Sequence, residues 1–148
     1  MPPTTANLLP RQLPAFPAKL RYSRENDIKK IAISARGQSL EAQVDPRFGR
    51  ASYFLLVNPD TMEFEVVSNQ QNLQAGRGAG IQAATMVARR QPVALLTGNC
   101  GPKAFHTLEA AGIPVFLGLT GSVREAVQQF RAGNLLPARD PNAAGHWV

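Results

Sequence analysis

The single cysteine of the chain stands in LLTGNCGPKAFHTL, Leu95 to Leu108, between glycines where an apolar run stops, and His106 follows six residues later. Such a pair leaves three chemistries open. A thiolate and an imidazole could hold a metal, a thiolate favouring soft ones such as Cu(I) or iron. A cysteine at a helix start could be a reactive thiol. GNCGP could also be a tight turn that tolerates a small buried side chain. Two further stretches carry chemistry. VDPRFGR sets Arg47 and Arg50 around Phe48 and Gly49, just after Asp45. Guanidinium forks match anions with several acceptor atoms, and Asp45 could orient one of them; the other reading is a structural turn with an Asp–Arg pair. AGRGAG, with Gly76, Arg77, Gly78 and Gly80, leads into a helix, and backbone N–H groups there can cradle an anion. Its spacing is neither a Walker A loop nor a dinucleotide fingerprint directly after a strand, so a plain flexible loop stays open.

GNCGP has the same logic. Gly98, Asn99, Cys100, Gly101 and Pro102 leave an apolar strand and open a helix, whose first N–H groups have no intrahelical partner. The dipole there favours a thiolate at Cys100. His106 lies a full turn inside that helix, and a solvent-facing side chain near Glu109 is its simpler reading.

The elements that must position these residues follow from periodicity and turn chemistry. KKIAISA reads as a first strand, followed by the polar loop RGQSLEAQVDPRFGR. ASYFLLV and MEFEVVS, joined by NPDT, form an antiparallel hairpin, with inward alternation at Phe64 and Val66. NQQNLQAGRGAG leads into a helix from Gly80 to Arg90, stopped by Pro92. VALLT is apolar throughout, as in a central strand. Pro102 suits the first position of a helix running to Ala111 and ending at Gly112. IPVFLG is another buried strand. SVREAVQQFRAGN is helical: Val123, Ala126, Val127 and Phe130 share one face, Ser122 and Glu125 make a capping box, and Gly133 stops it. The order β-β-β-α-β-α-β-α predicts an α/β fold: a three-layer α/β/α sandwich with a mixed five-stranded sheet. With the first and fourth strands as parallel neighbours, loops 35–50, 70–80, 98–101 and 118–121 gather on the rim at the carboxyl ends of the strands, where open α/β sheets bind ligands.

Composition narrows the function classes. One cysteine excludes an intramolecular disulfide and an all-cysteine metal site within one chain. A lone thiol suits a reducing compartment, so a cytoplasmic protein is expected. No apolar run has the span of a membrane helix, and no signal-peptide core is visible. The net charge of +6 is unevenly placed: residues 1–30 hold six basic and two acidic side chains, the remaining 118 ten and eight. The excess sits in a leader rich in proline, so a nucleic-acid partner is not expected. Three segments result: a basic, proline-rich extension over 1–27, a domain over 28–136 and a tail over 137–148.

Several separated motifs, KIAISA, VDPRFGRASYFLLV, NQQN, GRGAGIQAA, LLTGNCGPKAFHTLEAAGIPVF and GSVREAVQQFRAGNL, appear in the order found in a known family. Over residues 28–136 the chain resembles the dinitrogenase iron–molybdenum cofactor biosynthesis family. That family includes NifX-like proteins, the C-terminal domain of NifB-like proteins, and orange proteins; TGNCGP, LEAAGI and the tail GHWV lean toward the last. The resemblance implies a ribonuclease H-like fold and carriage rather than catalysis. The implied cargo is an anionic metal–sulfur cluster: a molybdenum–copper sulfide, or else an iron–molybdenum cofactor precursor or an iron–sulfur cluster. It implies as binding residues Asp45, Arg47, Phe48, Gly49, Arg50, Gly76, Gly78, Gly80, Gly98, Asn99, Cys100, Gly101 and Pro102, with Arg77 between the glycines. Not every branch has the cysteine, so a cluster held without protein ligands fits too. Expected partners are a cluster donor or acceptor protein, with a P-loop ATPase among the options, and the expected state is a monomer or weak dimer.

Two rival readings come from other classes. A ribonuclease H-like nuclease needs converging carboxylates for two metal ions, and only Glu41 and Asp45 lie near the rim. A small regulatory module could instead bind a nucleotide or a partner ATPase through the same glycine loops; it would take up neither colour nor metal.

Overall fold

The computed structural model describes residues 29–74 and 78–141. The extension over 1–27, Gly76, Arg77 and most of the tail, Trp147 included, lie outside the described residues. The strands are β1 (Ile31–Ala35), β2 (Tyr53–Val57), β3 (Phe64–Ser68), β4 (Ala94–Leu96) and β5 (Val115–Phe116). The helices are α1 (Gln70–Leu73), α2 (Ala79–Arg89), α3 (Pro102–Ala110) and α4 (Val123–Arg131), and Phe48–Arg50 form a 3-10 turn. The sheet runs β3-β2-β1-β4-β5. The β1–β2 and β2–β3 pairs are antiparallel, and β1–β4 and β4–β5 are parallel, as the meander and the two crossovers require.

Alternation in β1 splits the apolar residues between two cores. Ala32 joins Phe54, Leu95, Ala83, Val87, Ala104, Phe105 and Leu108 under α2 and α3. Ile31, Ile33 and Ala35 face the other way and pack with Leu55, Leu96, Val123, Ala126 and Val127 under α4. The sheet is therefore covered on both faces, giving the three-layer α/β/α arrangement.

Local chemistry sets the ends of the helices. Ser122 Oγ accepts the Glu125 N–H at 3.1 Å and Glu125 accepts the Ser122 N–H at 2.9 Å, which closes the start of α4. Pro102 opens α3, and Gly112 and Gly133 stop α3 and α4 in the left-handed region, at φ 79° each.

Two expectations change. The short helix α1 was not visible in NQQNL, which has no apolar periodicity; it forms because Asn69 accepts the Asn72 and Leu73 N–H groups at its carbonyl. Phe64, expected to point inward, is 39% exposed, because β3 is an edge strand whose far end is uncovered, and Val67 supplies the buried residue instead.

Candidate functional site

The loops at the carboxyl ends of β1, β4 and β5 are stitched into one rim. The Ser34 hydroxyl, buried at the end of β1, donates to the Asp45 carbonyl at 2.8 Å and lies 2.7 Å from the Thr97 hydroxyl at the end of β4. That pair fixes where VDPRFGR crosses the sheet. The Asn99 N–H donates to the Pro46 carbonyl at 2.6 Å and the Phe48 N–H to the Asn99 carbonyl at 3.1 Å. This zips the arginine loop to GNCGP in a parallel bridge between Arg47 and Asn99. On the other side the Gly118 N–H reaches the Gly98 carbonyl, and the Val44 N–H the Gly121 carbonyl, each at 2.9 Å.

Two glycines make the approach close enough. A Cβ on Gly98 would lie 2.7 Å from Pro46 Cα, and one on Gly49 would lie 2.8 Å from Gly80 Cα. The Phe48–Arg50 turn thus rests directly on the first turn of α2. The structure brings together Asp45 through Arg50, Gly78, Gly80 and Gly98 through Pro102.

The electrostatics of this rim suit an anion. Asp45 is buried; its Oδ1 accepts the Arg47 N–H at 3.0 Å and stands 3.7 Å from Arg47 Nε, so it orients the arginine. Arg47 is exposed, and Arg50 is half-buried. No described carboxylate lies within ion-pair distance of Arg50 or Lys103, whereas Lys30, Arg90, Arg124 and Arg131 each have one. Helices α2 and α3 begin with no side-chain cap and no acidic residue in the first turn, in contrast to α4. Their leading N–H groups and dipoles therefore add to the positive field of the arginines.

A family model described as dinitrogenase iron-molybdenum cofactor matches residues 29–133. The chain belongs to this family. Among solved structures, the apo orange protein of Desulfovibrio gigas is 45% identical with a TM-score of 0.75, covering 78% of this chain and 98% of that one. A NifB-like protein of Thermotoga is 32% identical with a TM-score of 0.64, over 74% of this chain and 92% of its own. An uncharacterized protein of Methanocaldococcus jannaschii is 29% identical over 111 residues, 73% of this chain and 90% of that protein.

In this member of the family much of the motif is buried: Asp45, Gly49, Gly80, Gly98 and Gly101 as well as Phe48 and Cys100. Phe48 is fully buried against Phe54, ring centroids 5.1 Å apart, and anchors the arginine turn to the core. Cys100 is also fully buried, in the core under α2 and α3. Burial pushes its thiol up to about 12 from 9.0, which corrects the expectation of a dipole-favoured thiolate: desolvation outweighs the helix terminus. Between those two values the unfolded chain ionises this thiol and the folded chain does not, so folding stability falls as pH rises through that window. At pH 8 the folded protein should react with iodoacetamide at least about a hundredfold more slowly than the unfolded chain. Mass spectrometry with and without denaturant measures this, and equal rates would place the thiol at the surface. His106 is exposed and lies 4.0 Å from Glu109. Among the described residues no group of three or more His, Cys, Asp or Glu could hold a metal ion. Glu41 pairs with Arg124 at 2.7 Å, so it does not converge with Asp45 for two-metal chemistry.

Sequence reasoning passed over the residues that hold the rim in place. Asn69 is fully buried; its Nδ2 donates to the Ala51 carbonyl at 2.7 Å and to the Gly49 carbonyl at 3.5 Å. Its Oδ1 accepts from Asn72 Nδ2 at 2.7 Å. The signal was NQQN, two asparagines three apart beside a glycine loop. Ser34 and Thr97 gave a similar one, as hydroxyls ending otherwise apolar strands. Two surface depressions, of about 470 and 490 Å³, lie beside α4 and β3 and include neither Arg47 nor Arg50.

Proposed function

We propose that this chain is a non-catalytic carrier that holds a preassembled, anionic metal–sulfur cluster on the rim. The observation that carries the reading is the convergence of the Arg47–Arg50 turn with the uncapped starts of α2 and α3. Membership of a family described by an iron–molybdenum cofactor, and the likeness to an orange protein, point the same way. Sulfide atoms at the surface of such a cluster accept hydrogen bonds. Backbone N–H groups of the two helix starts and the guanidinium groups of Arg47 and Arg50 would supply them, at roughly 1.5–3 kcal/mol for each bond to a charged group. In this reading the buried Cys100 packs beneath the cradle and is not required as a ligand. The cargo we favour is a molybdenum–copper sulfide, as the resemblance to orange proteins implies; an iron–molybdenum cofactor precursor or an iron–sulfur cluster is the alternative. A rim that is open rather than enclosed suits a cluster that is received from one protein and released to another.

The test is uptake. The apo protein is offered tetrathiomolybdate with copper, and separately a reconstituted iron–sulfur mixture, then desalted. About one cluster per chain should remain, with its visible absorption, in the first case. Retention of neither metal set would end the carrier reading.

A further inference from the structure

The two edges of the sheet are treated differently. At the β5 edge the C-terminal segment closes the strand, with the Ala138 N–H donating to the outward Val115 carbonyl at 2.7 Å and Ala138 packing on the core. At the β3 edge nothing comparable is found among the described residues. The Asn58 N–H bonds to the Glu63 carbonyl at 2.8 Å and the Asn69 N–H to the Ser52 carbonyl at 2.9 Å, which fixes the alternation of the β2–β3 ladder between them. Glu65 and Val67 therefore turn their backbone groups toward β2. Phe64, Val66 and Ser68 turn theirs outward, and no described backbone group bonds to them. Native edges are usually blunted by proline, lysine or a bulge, and FEVVS has none of these. The one charge on the strand, Glu65, is held by Lys30 at 3.2 Å and Arg90 at 2.7 Å from within the same chain.

We propose that β3 is a self-association surface, pairing antiparallel with β3 of a second copy about a two-fold axis at Val66. The sequence of the edge favours a second copy because this register is self-complementary. Phe64 faces the partner's Ser68, and Val66 faces the partner's Val66, so all three outward residues on each strand exchange backbone bonds. Glu65 falls opposite the partner's Val67, so no like charges meet. The neighbouring register centred on Glu65 would set the two glutamates directly opposite one another, which is unfavourable. The exposed ring of Phe64 gains cover in the pair. Two strands of five residues bury little area, so the dimer is weak and concentration-dependent. Because β3 ends on the rim and the pairing is antiparallel, the two rims lie at opposite ends of the joined sheet. Self-association is then independent of cargo, and no cluster is shared between two Cys100 residues.

Sedimentation velocity on the full chain from about 5 μM to about 1 mM tests this. The average mass should climb toward twice that of one chain. Val66→Pro removes an outward N–H without touching the ladder to β2, and Phe64→Lys places a charge on the edge. Each should raise the dissociation constant about tenfold or more, while Arg47→Gln with Arg50→Gln leaves it unchanged. If Val66→Pro fails to fold by circular dichroism, Phe64→Lys alone decides. A monomer across the whole range, or a dimer that Phe64→Lys leaves intact, overturns the proposal.

Discussion

Asn69→Asp is expected to destabilise the fold by about 2–4 kcal/mol at pH 7.5 while barely changing side-chain volume. The substitution replaces a buried donor with a carboxylate oxygen set against the Ala51 and Gly49 carbonyls, which Asn69 Nδ2 now reaches at 2.7 and 3.5 Å. Burial and those carbonyls would raise the carboxyl above its unfolded value of about 3.9. Protonated, it regains an O–H donor. The folded state then binds the proton more tightly than the unfolded state, so the lost stability is largely restored below pH 4 and disappears as pH rises through the raised value. Urea unfolding of wild type and variant at several pH values reads this directly. A variant as stable as wild type at pH 7.5 would show that Asn69 does not hold the turn. Loss of the clamp should also displace Arg50, which lies between the two carbonyls in sequence, so cluster uptake by the folded fraction should fall as well.

Gly98→Ala is the second large effect. The added methyl would meet Pro46 Cα at 2.7 Å and the Pro46 carbonyl oxygen at 2.9 Å, both backbone atoms that cannot rotate away. The 2.6 Å bond from the Asn99 N–H to that same carbonyl must stretch for the two loops to separate. Overpacking of this kind costs about 1–3 kcal/mol. For a domain near 100 residues that is a fall in melting temperature of roughly 4–8 °C for each kcal/mol. Calorimetry measures it. Gly78→Ala, where a Cβ meets nothing within 4 Å but φ is +81°, should cost less, on the order of 1 kcal/mol.

The architecture was legible because its signals are local and redundant. VALLT is uniformly apolar where a strand is covered on both faces; Ser122 with Glu125 and Pro102 with Gly112 mark helix ends by their own chemistry. Given those elements, connection rules place the loops on one rim, and the Ser34–Thr97, Asn99–Pro46 and Phe48–Asn99 hydrogen bonds join them there. What stayed hidden depends on tertiary burial. Cys100 at a helix start reads as an activated thiol from sequence, and only packing under α2 and α3 reverses that. Phe48, flanked by Gly49 and two arginines, gives no local sign that it turns inward onto Phe54. NQQN singles out Asn69 beside a glycine loop but does not say what it holds, since its partners are carbonyls some twenty positions earlier.

The most direct measurement is the binding of a tetrathiomolybdate–copper cluster by three proteins, read as bound metal per chain over a range of salt. Wild type and Cys100→Ala should bind equally, because the proposed cradle holds the cluster through N–H and guanidinium groups rather than a thiolate. Arg47→Gln with Arg50→Gln should lose about tenfold or more in affinity at low salt, and wild-type affinity should weaken as salt rises. Loss of the cluster in Cys100→Ala, with retention in the arginine variant and no response to salt, would contradict an anion cradle on this rim.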